Sequence, residues 1–200
     1  RKQLEKQGKL DNILKKEEEL RNSSMEERKE NFKQIHDMLG GKVKLFISGD
    51  ASLDPAIEER YRLLGINIVQ GYGLTETSPV VAIGTNKEHK IGSIGKTVPS
   101  VKAKLVDINK EGVGELVVKG PSIALGYYNN EKATKESFKG DWFYTGDLAK
   151  IDKEGYIFIC GRKKSVIVLK NGKNIFPEEM ENLVNKIEGV PVSYTHLTLP

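Results

Sequence analysis

Hydrophobic and polar positions change rhythm three times along this chain of 200 residues. Over residues 1–39, Leu4, Leu10, Ile13, Leu14 and Leu20 stand widely spaced among lysines and glutamates. Phe32, Ile35 and Leu39 then fall on one face at helical spacing. They predict a helix over 31–39 that stops at Gly40-Gly41 and packs against an α/β body. Val43-Lys44-Leu45-Phe46-Ile47 alternates as a strand does, and Ile66-Asn67-Ile68-Val69 reads as a second strand. Between them Asp54 caps a helix with Pro55 in its first turn, carrying Ile57, Tyr61 and Leu64 inward and ending at Gly65. Strand, helix, strand over 43–69 predicts a parallel pair in a doubly wound unit. After residue 85 the pattern turns to short strands and glycine turns: Val101–Val106, Leu116–Val118, Tyr156–Cys160 and Val166–Leu169. The expected class is mixed α/β, part of a doubly wound sheet followed by a small, distorted antiparallel β-barrel. Pro177-Glu178-Glu179 opens a last helix, acidic in its first turn, expected to end near Gly189.

Composition narrows the function classes without choosing one. Hydrophobic residues make up 38% and charged residues 30%, the balance of a soluble globular chain. No apolar run reaches the ~20 residues of a membrane helix. The net charge of +4 comes from interleaved signs, which reads as solvated surface rather than as a nucleic-acid footprint. Cys160 is the only cysteine, so no internal disulfide can form, which points to a reducing compartment. In its strand Cys160 is expected to be a buried structural thiol. His36, His89 and His196 have no metal-ligand spacing with it, and no zinc site is expected. With no initiator Met and no signal-like start, the chain is expected to be an internal piece of a longer one.

The candidate chemistry concentrates in Gln70-Gly71-Tyr72-Gly73-Leu74-Thr75-Glu76-Thr77-Ser78, which follows the second strand. An aromatic ring, two glycines, three hydroxyls and a carboxylate can stack a base, let backbone approach a phosphate and hold a metal. In open α/β sheets ligands dock at the carboxyl ends of strands. Each residue also has a plainer reading: Tyr72 as a core tyrosine at a strand end, and Thr75-Glu76 as a helix start. Asp147 reads equally as a turn aspartate, Arg162 as a surface arginine and Asn171-Gly172 as a hairpin turn.

Four stretches in order raise the functional reading. Gln70–Ser78 resembles the Tyr-Gly-x-Thr-Glu motif of the adenylate-forming (AMP-binding) synthetases. Gly114-Glu115-Leu116-Val117-Val118 through Gly126-Tyr127-Tyr128-Asn129 resembles that family's Gly-Glu-Leu segment. Trp142-Phe143-Tyr144-Thr145-Gly146-Asp147-Leu148 is similar to its ribose-binding motif. Gly155-Tyr156-Ile157 to Gly161-Arg162-Lys163-Lys164, then Asn171 to Glu179, is similar to its hinge and the loop beyond. The resemblance covers most of 40–190 and is greatest to long-chain fatty acid–CoA ligases.

What the resemblance implies is specific. ATP with Mg²⁺ would activate a carboxylic acid, a long-chain fatty acid, to an acyl-adenylate, and coenzyme A would then take the acyl group. Tyr72 would stack on adenine, with the Gly49-Asp50-Ala51 turn on its other face and Gly71 and Gly73 bending the chain. Thr75 would donate to the α-phosphate, and Glu76 would help hold Mg²⁺. Asp147 and Arg162 would bind ribose, Lys164 would be the hinge, and Gly172 would sit in a loop forming the coenzyme A tunnel. Ser165 departs from the aspartate often found next to the hinge. The organisation implied is a large domain through residue 161 (an α/β part to 85, a β-rich part from 86) and the start of a small α+β domain over 162–190. Residues 191–200 resemble a translated adapter sequence rather than native chain. The phosphate loop and the catalytic lysine are expected outside this stretch, leaving it inactive alone. A cytoplasmic location is implied, and peripheral membrane association of the longer protein is compatible with it. An amino-acid-adenylating domain and a non-catalytic scaffold relative are the alternatives.

Overall fold

The computed structural model describes residues 9–168, 174–185, 187, 189, 190 and 193. These form two compact units, one of residues up to Gln70 with Thr85–Gly92, the other of Gly71–Gly84 with Ser93 onward.

The first unit begins with helices α1 (Lys9–Glu19), α2 (Met25–Asn31) and α3 (Lys33–Met38). Ser24 starts α2 with a capping box: its Oγ accepts from Glu27 N at 3.2 Å, and the Glu27 carboxylate accepts from Ser24 N at 3.0 Å. The helix expected over 31–39 is therefore divided. Phe32, at φ −108° and ψ 27°, ends α2 and begins α3, with its ring buried. Met38 and Leu39 lie exposed, and His36 turns inward instead, its Nε2 3.0 Å from the Leu64 carbonyl. Arg28 ties helix ends together, donating to the carbonyls of Leu20 (3.1 Å), Arg21 (2.6 Å) and Arg62 (3.2 Å).

β1 (Phe46–Ser48) is shorter than the alternation of Val43–Ile47 predicts. It pairs in parallel with the first half of β2 (Ile68–Gly73), registering Phe46 with Ile68 and Ser48 with Gln70. The crossover is α4 (Pro55–Leu63), capped by the Asp54 carboxylate at 2.9 Å from Ala56 N. Its buried face differs from the expected one. Ile57 and Tyr61 are exposed, whereas Leu63 is buried and Glu58 is wholly out of solvent. The reason is local satisfaction of the carboxylate. Glu58 Oε1 lies 2.5 Å from His89 Nε2 and Oε2 accepts from Gly92 N at 2.8 Å. A buried carboxylate is tolerated only with such partners.

In the second unit, Gly71–Gly73 pairs antiparallel with β3 (Val80–Ile83), which pairs with β4 (Lys96–Thr97). The larger sheet contains β5 (Lys102–Val106), β6 (Gly114–Lys119), then, after helix α5 (Glu131–Ser137), β7 (Phe138–Lys139), β8 (Trp142–Ile151) and β9 (Ile157–Arg162). The order is β5-β6-β8, with β7 and β9 both on the outer side of β8, all antiparallel. It is a curled half-barrel. Among the described residues no pairing closes it into a barrel. Asp147, which also read as a turn aspartate, lies within the longest strand among the described residues, and α5 and β7 go beyond the elements the pattern predicts. The core gathers Val81, Ile94, Leu116, Val118, Phe143, Ala149 and Ile157. Cys160 is half-buried rather than buried. An antiparallel pair of β10 (Ile167–Val168) and β11 (Asn174–Ile175) precedes α6 (Pro177–Val184), which ends at Asn185 rather than near Gly189. No helix among the described residues is long and apolar enough to cross a membrane.

Glu58 gives the first unit its most exacting contact. Glu58→Leu leaves Gly92 N–H and His89 without their acceptor and should cost about 3 kcal/mol, whereas Glu58→Gln should cost about 1 kcal/mol. Urea unfolding of the two variants checks this. Equal losses would mean that the carboxylate is not what the site requires.

Candidate functional site

The site in the second unit is built on Asp147. Along β8 alternate residues are buried, so Phe143, Thr145, Asp147 and Ala149 share the inward face. The strand carries extra residues where it passes β6, since Tyr144 registers with Val117 but Leu148 with Glu115. Gly146, at φ 73°, takes up this irregularity in the left-handed region that glycine tolerates. Thr145 Oγ donates to Leu116 O at 2.7 Å and accepts from Asp147 N at 3.1 Å, which fixes the backbone there.

β9 then brings Arg162 opposite Asp147, and Arg162 Nε donates to Asp147 Oδ1 at 2.9 Å. The Tyr72 hydroxyl donates to Asp147 Oδ2. Asp147 is 3% exposed, so these donors make its burial possible. The effect on Tyr72 is large. Burial first, then the charge of Asp147 and its hydrogen bond, push the phenol far above its ordinary range. Lys163 follows with its Nζ 2.6 Å from the buried Glu115 carboxylate, while its backbone N–H donates to Gly146 O at 2.8 Å. The Glu115 hydrogen bond is the main cause that holds the Lys163 ammonium above its usual range.

The turn after β2 depends on a close backbone approach. A Cβ on Gly73 would lie 1.7 Å from Pro79 O, so this position admits only glycine. Thr77, fully buried, closes the turn: its Oγ accepts from Leu74 N at 2.9 Å and its hydroxyl faces the carbonyls of Leu74 and Pro79. Thr75 is exposed in the single 3₁₀ turn Thr75–Thr77, whose cap position is Leu74. Glu76 is half-buried. Its Oε1 accepts from the Tyr127 hydroxyl at 2.7 Å, and its carbonyl accepts from Ala124 N at 2.8 Å.

The structure thus joins Tyr72, Asp147 and Arg162 directly, and sets Thr75 and Glu76 on the turn that leaves β2. Gly49, Asp50 and Ala51 are exposed in the first unit, just after Ser48 at the carboxyl end of β1, with Asp50 at φ 66°. Gln70, opposite Ser48 in the parallel pair, accepts from Leu53 N at 2.9 Å. Lys164 is exposed in the turn after β9. Gly172 lies outside the described residues. Sequence reasoning missed Tyr127, Thr145, Thr77 and Lys163 as supporting residues. All four stand within stretches it had singled out, but their partners are up to 51 positions away.

Residues 10–128 match the AMP-binding enzyme family, and the chain belongs to it. Among curated relatives, a long-chain-fatty-acid–CoA ligase of Mycobacterium bovis is 41% identical over 151 residues, covering 76% of this chain and 24% of that protein. A 2-succinylbenzoate–CoA ligase of Oceanobacillus iheyensis is 34% identical over 151 residues, covering 74% and 31%. Among solved structures, o-succinylbenzoate coenzyme A synthetase of Bacillus subtilis in complex with ATP and magnesium superimposes with a TM-score of 0.66 at 30% identity, over 72% of this chain and 31% of that one. The chain therefore spans about a quarter to a third of the length of these relatives.

The raised Tyr72 phenol has a measurable consequence. An unfolded tyrosine loses its proton from about pH 10, while folded Tyr72 keeps it. Stability from this source is complete below that pH and is lost as pH rises beyond it. Tyr127, also raised, adds to the same trend. Tyr72→Phe should therefore flatten the fall in urea midpoint between pH 9 and pH 11 without abolishing it. An unchanged slope would contradict the assignment.

Proposed function

We propose that this chain is the nucleotide-holding middle portion of an acid–CoA ligase that activates long-chain fatty acids with ATP. The observation that carries the reading is the Tyr72–Asp147–Arg162 contact, which fixes a carboxylate, a guanidinium and an aromatic ring together. A carboxylate can accept from both hydroxyls of a ribose, an arginine adds donors, and a tyrosine ring offers a face to adenine. Tyr72 is read as an adenine contact, with Gly71 and Gly73 shaping the bend. The exposed Thr75 hydroxyl is read as a donor to the α-phosphate.

The first reaction forms a bond from a substrate carboxylate oxygen to the α-phosphorus and breaks the bond to pyrophosphate. The thiolate of coenzyme A then attacks the acyl carbon, and AMP leaves with the electron pair of the anhydride bond. This chain's residues contribute by orientation and by stabilising phosphate charge. Glu76 fits a magnesium ion, because an anchored carboxylate beside a hydroxyl is the oxygen set that a hard cation prefers. When bound, that ion would neutralise phosphate charge. Lys164, exposed in the turn after β9, is read as the hinge between a large domain ending at residue 161 and a smaller one beginning at 162.

Identities of 38–41% to long-chain-fatty-acid ligases, against 34–37% to 2-succinylbenzoate ligases, support the fatty-acid choice. ATP–pyrophosphate exchange by the intact protein, with fatty acids of rising length, 2-succinylbenzoate and amino acids, tests it. Exchange should require a long-chain acid. Asp147→Ala should raise the KM for ATP roughly tenfold to hundredfold, the loss of charge-assisted hydrogen bonds. Exchange driven by an amino acid instead would transfer the chain to the amino-acid-adenylating class.

A further inference from the structure

We infer that Tyr127 positions the Glu76 carboxylate to meet the metal ion that accompanies the nucleotide, an inference that rests on the reading of Glu76 above. The segment between β6 and α5 grips Glu76 twice, through Ala124 N to its carbonyl at 2.8 Å and through the Tyr127 hydroxyl to Oε1 at 2.7 Å. A glutamate side chain loses several rotatable bonds when it becomes a ligand, and holding it beforehand lowers that cost.

Tyr127 is itself well held. Its backbone N–H donates to Thr134 Oγ1 at 2.9 Å, and that hydroxyl donates to Asn130 O at 2.8 Å. Its ring meets Phe138 edge-on, with centroids 5.7 Å apart at 72°. Gly126 makes the approach possible, since a Cβ there would lie 2.6 Å from Thr134 Cγ2 at φ 151°. With Oε1 held by the phenol, the other oxygen is the one offered to a cation, the role that outer partners of metal-ligating carboxylates perform.

The test uses the intact protein and the mild variant Tyr127→Phe, which removes only the hydroxyl. Mn²⁺ binding in the presence of α,β-methylene-ATP, followed by electron paramagnetic resonance, should weaken about tenfold. The free Mg²⁺ concentration for half-maximal pyrophosphate exchange should rise by a similar factor, with the KM for the acid and the urea midpoint unchanged. In a Glu76→Gln background Tyr127→Phe should add nothing to the loss of Mn²⁺ binding. Wild-type Mn²⁺ affinity in Tyr127→Phe overturns the inference. So does an undiminished effect in the Glu76→Gln background, or a uniform loss of Mn²⁺ and acid affinity with a lowered urea midpoint. These outcomes leave the ligase reading standing. An unaltered protein that neither exchanges pyrophosphate nor binds the Mn²⁺–nucleotide overturns that reading, and this inference with it.

Discussion

A carboxylate taken out of water must be met by donors, and in the second unit this requirement organises everything around Asp147. Its position on the inward face of β8 would be untenable without Arg162 directly opposite on β9 and the Tyr72 hydroxyl at its other oxygen. The register of β8 with β9 and the approach of β2 are thus tied to one charge. The irregularity at Thr145–Gly146 adds two residues to β8 where it passes β6 and leaves the alternation that buries Asp147 intact. Strand geometry, here, is subordinate to electrostatics.

Close backbone packing is the second constraint. Gly73 against Pro79 and Gly126 against Thr134 are positions where one added carbon would collide. The first sets the turn that carries Thr75 and Glu76, and the second sets the segment that carries Tyr127. Both glycines therefore act on the same carboxylate from two separate stretches of the sequence. Thr77, buried and bonded within the turn, keeps the exposed Thr75 and the half-buried Glu76 on its outer side.

The first unit shows how burial of charge redirects amphipathic reading. α4 carries Ile57 and Tyr61 at spacings that suggest an inward face, yet both are exposed. Glu58 goes inward because His89 and Gly92, some thirty residues away, supply a donor pair that no local pattern could announce. His36 displaces Leu39 from the buried side in the same manner, through the Leu64 carbonyl. In each case a distant polar partner outweighed the local hydrophobic pattern.

The sequence by itself determined the mixed α/β class, the parallel pair around α4, the strands β5, β6 and β9, and the motifs that identify the family. These follow from periods of two and 3.6, from Asp-Pro and glycine punctuation, and from residue types in fixed order, all of which are local. It also pointed to Tyr72, Asp147 and Arg162 as residues of one site. Tertiary structure alone decided that Tyr72 donates to Asp147, that Tyr127 holds Glu76, that Lys163 answers Glu115, and that Asp147 sits in a strand rather than a turn. It also left the sheet a half-barrel and divided the helix at Phe32. These outcomes depend on which donors meet which acceptors across 48 to 75 positions of chain, and on backbone clearances of a few ångströms. Hydrogen bonds act over about 3 Å in space, so a sequence pattern that records only spacing along the chain carries no trace of them.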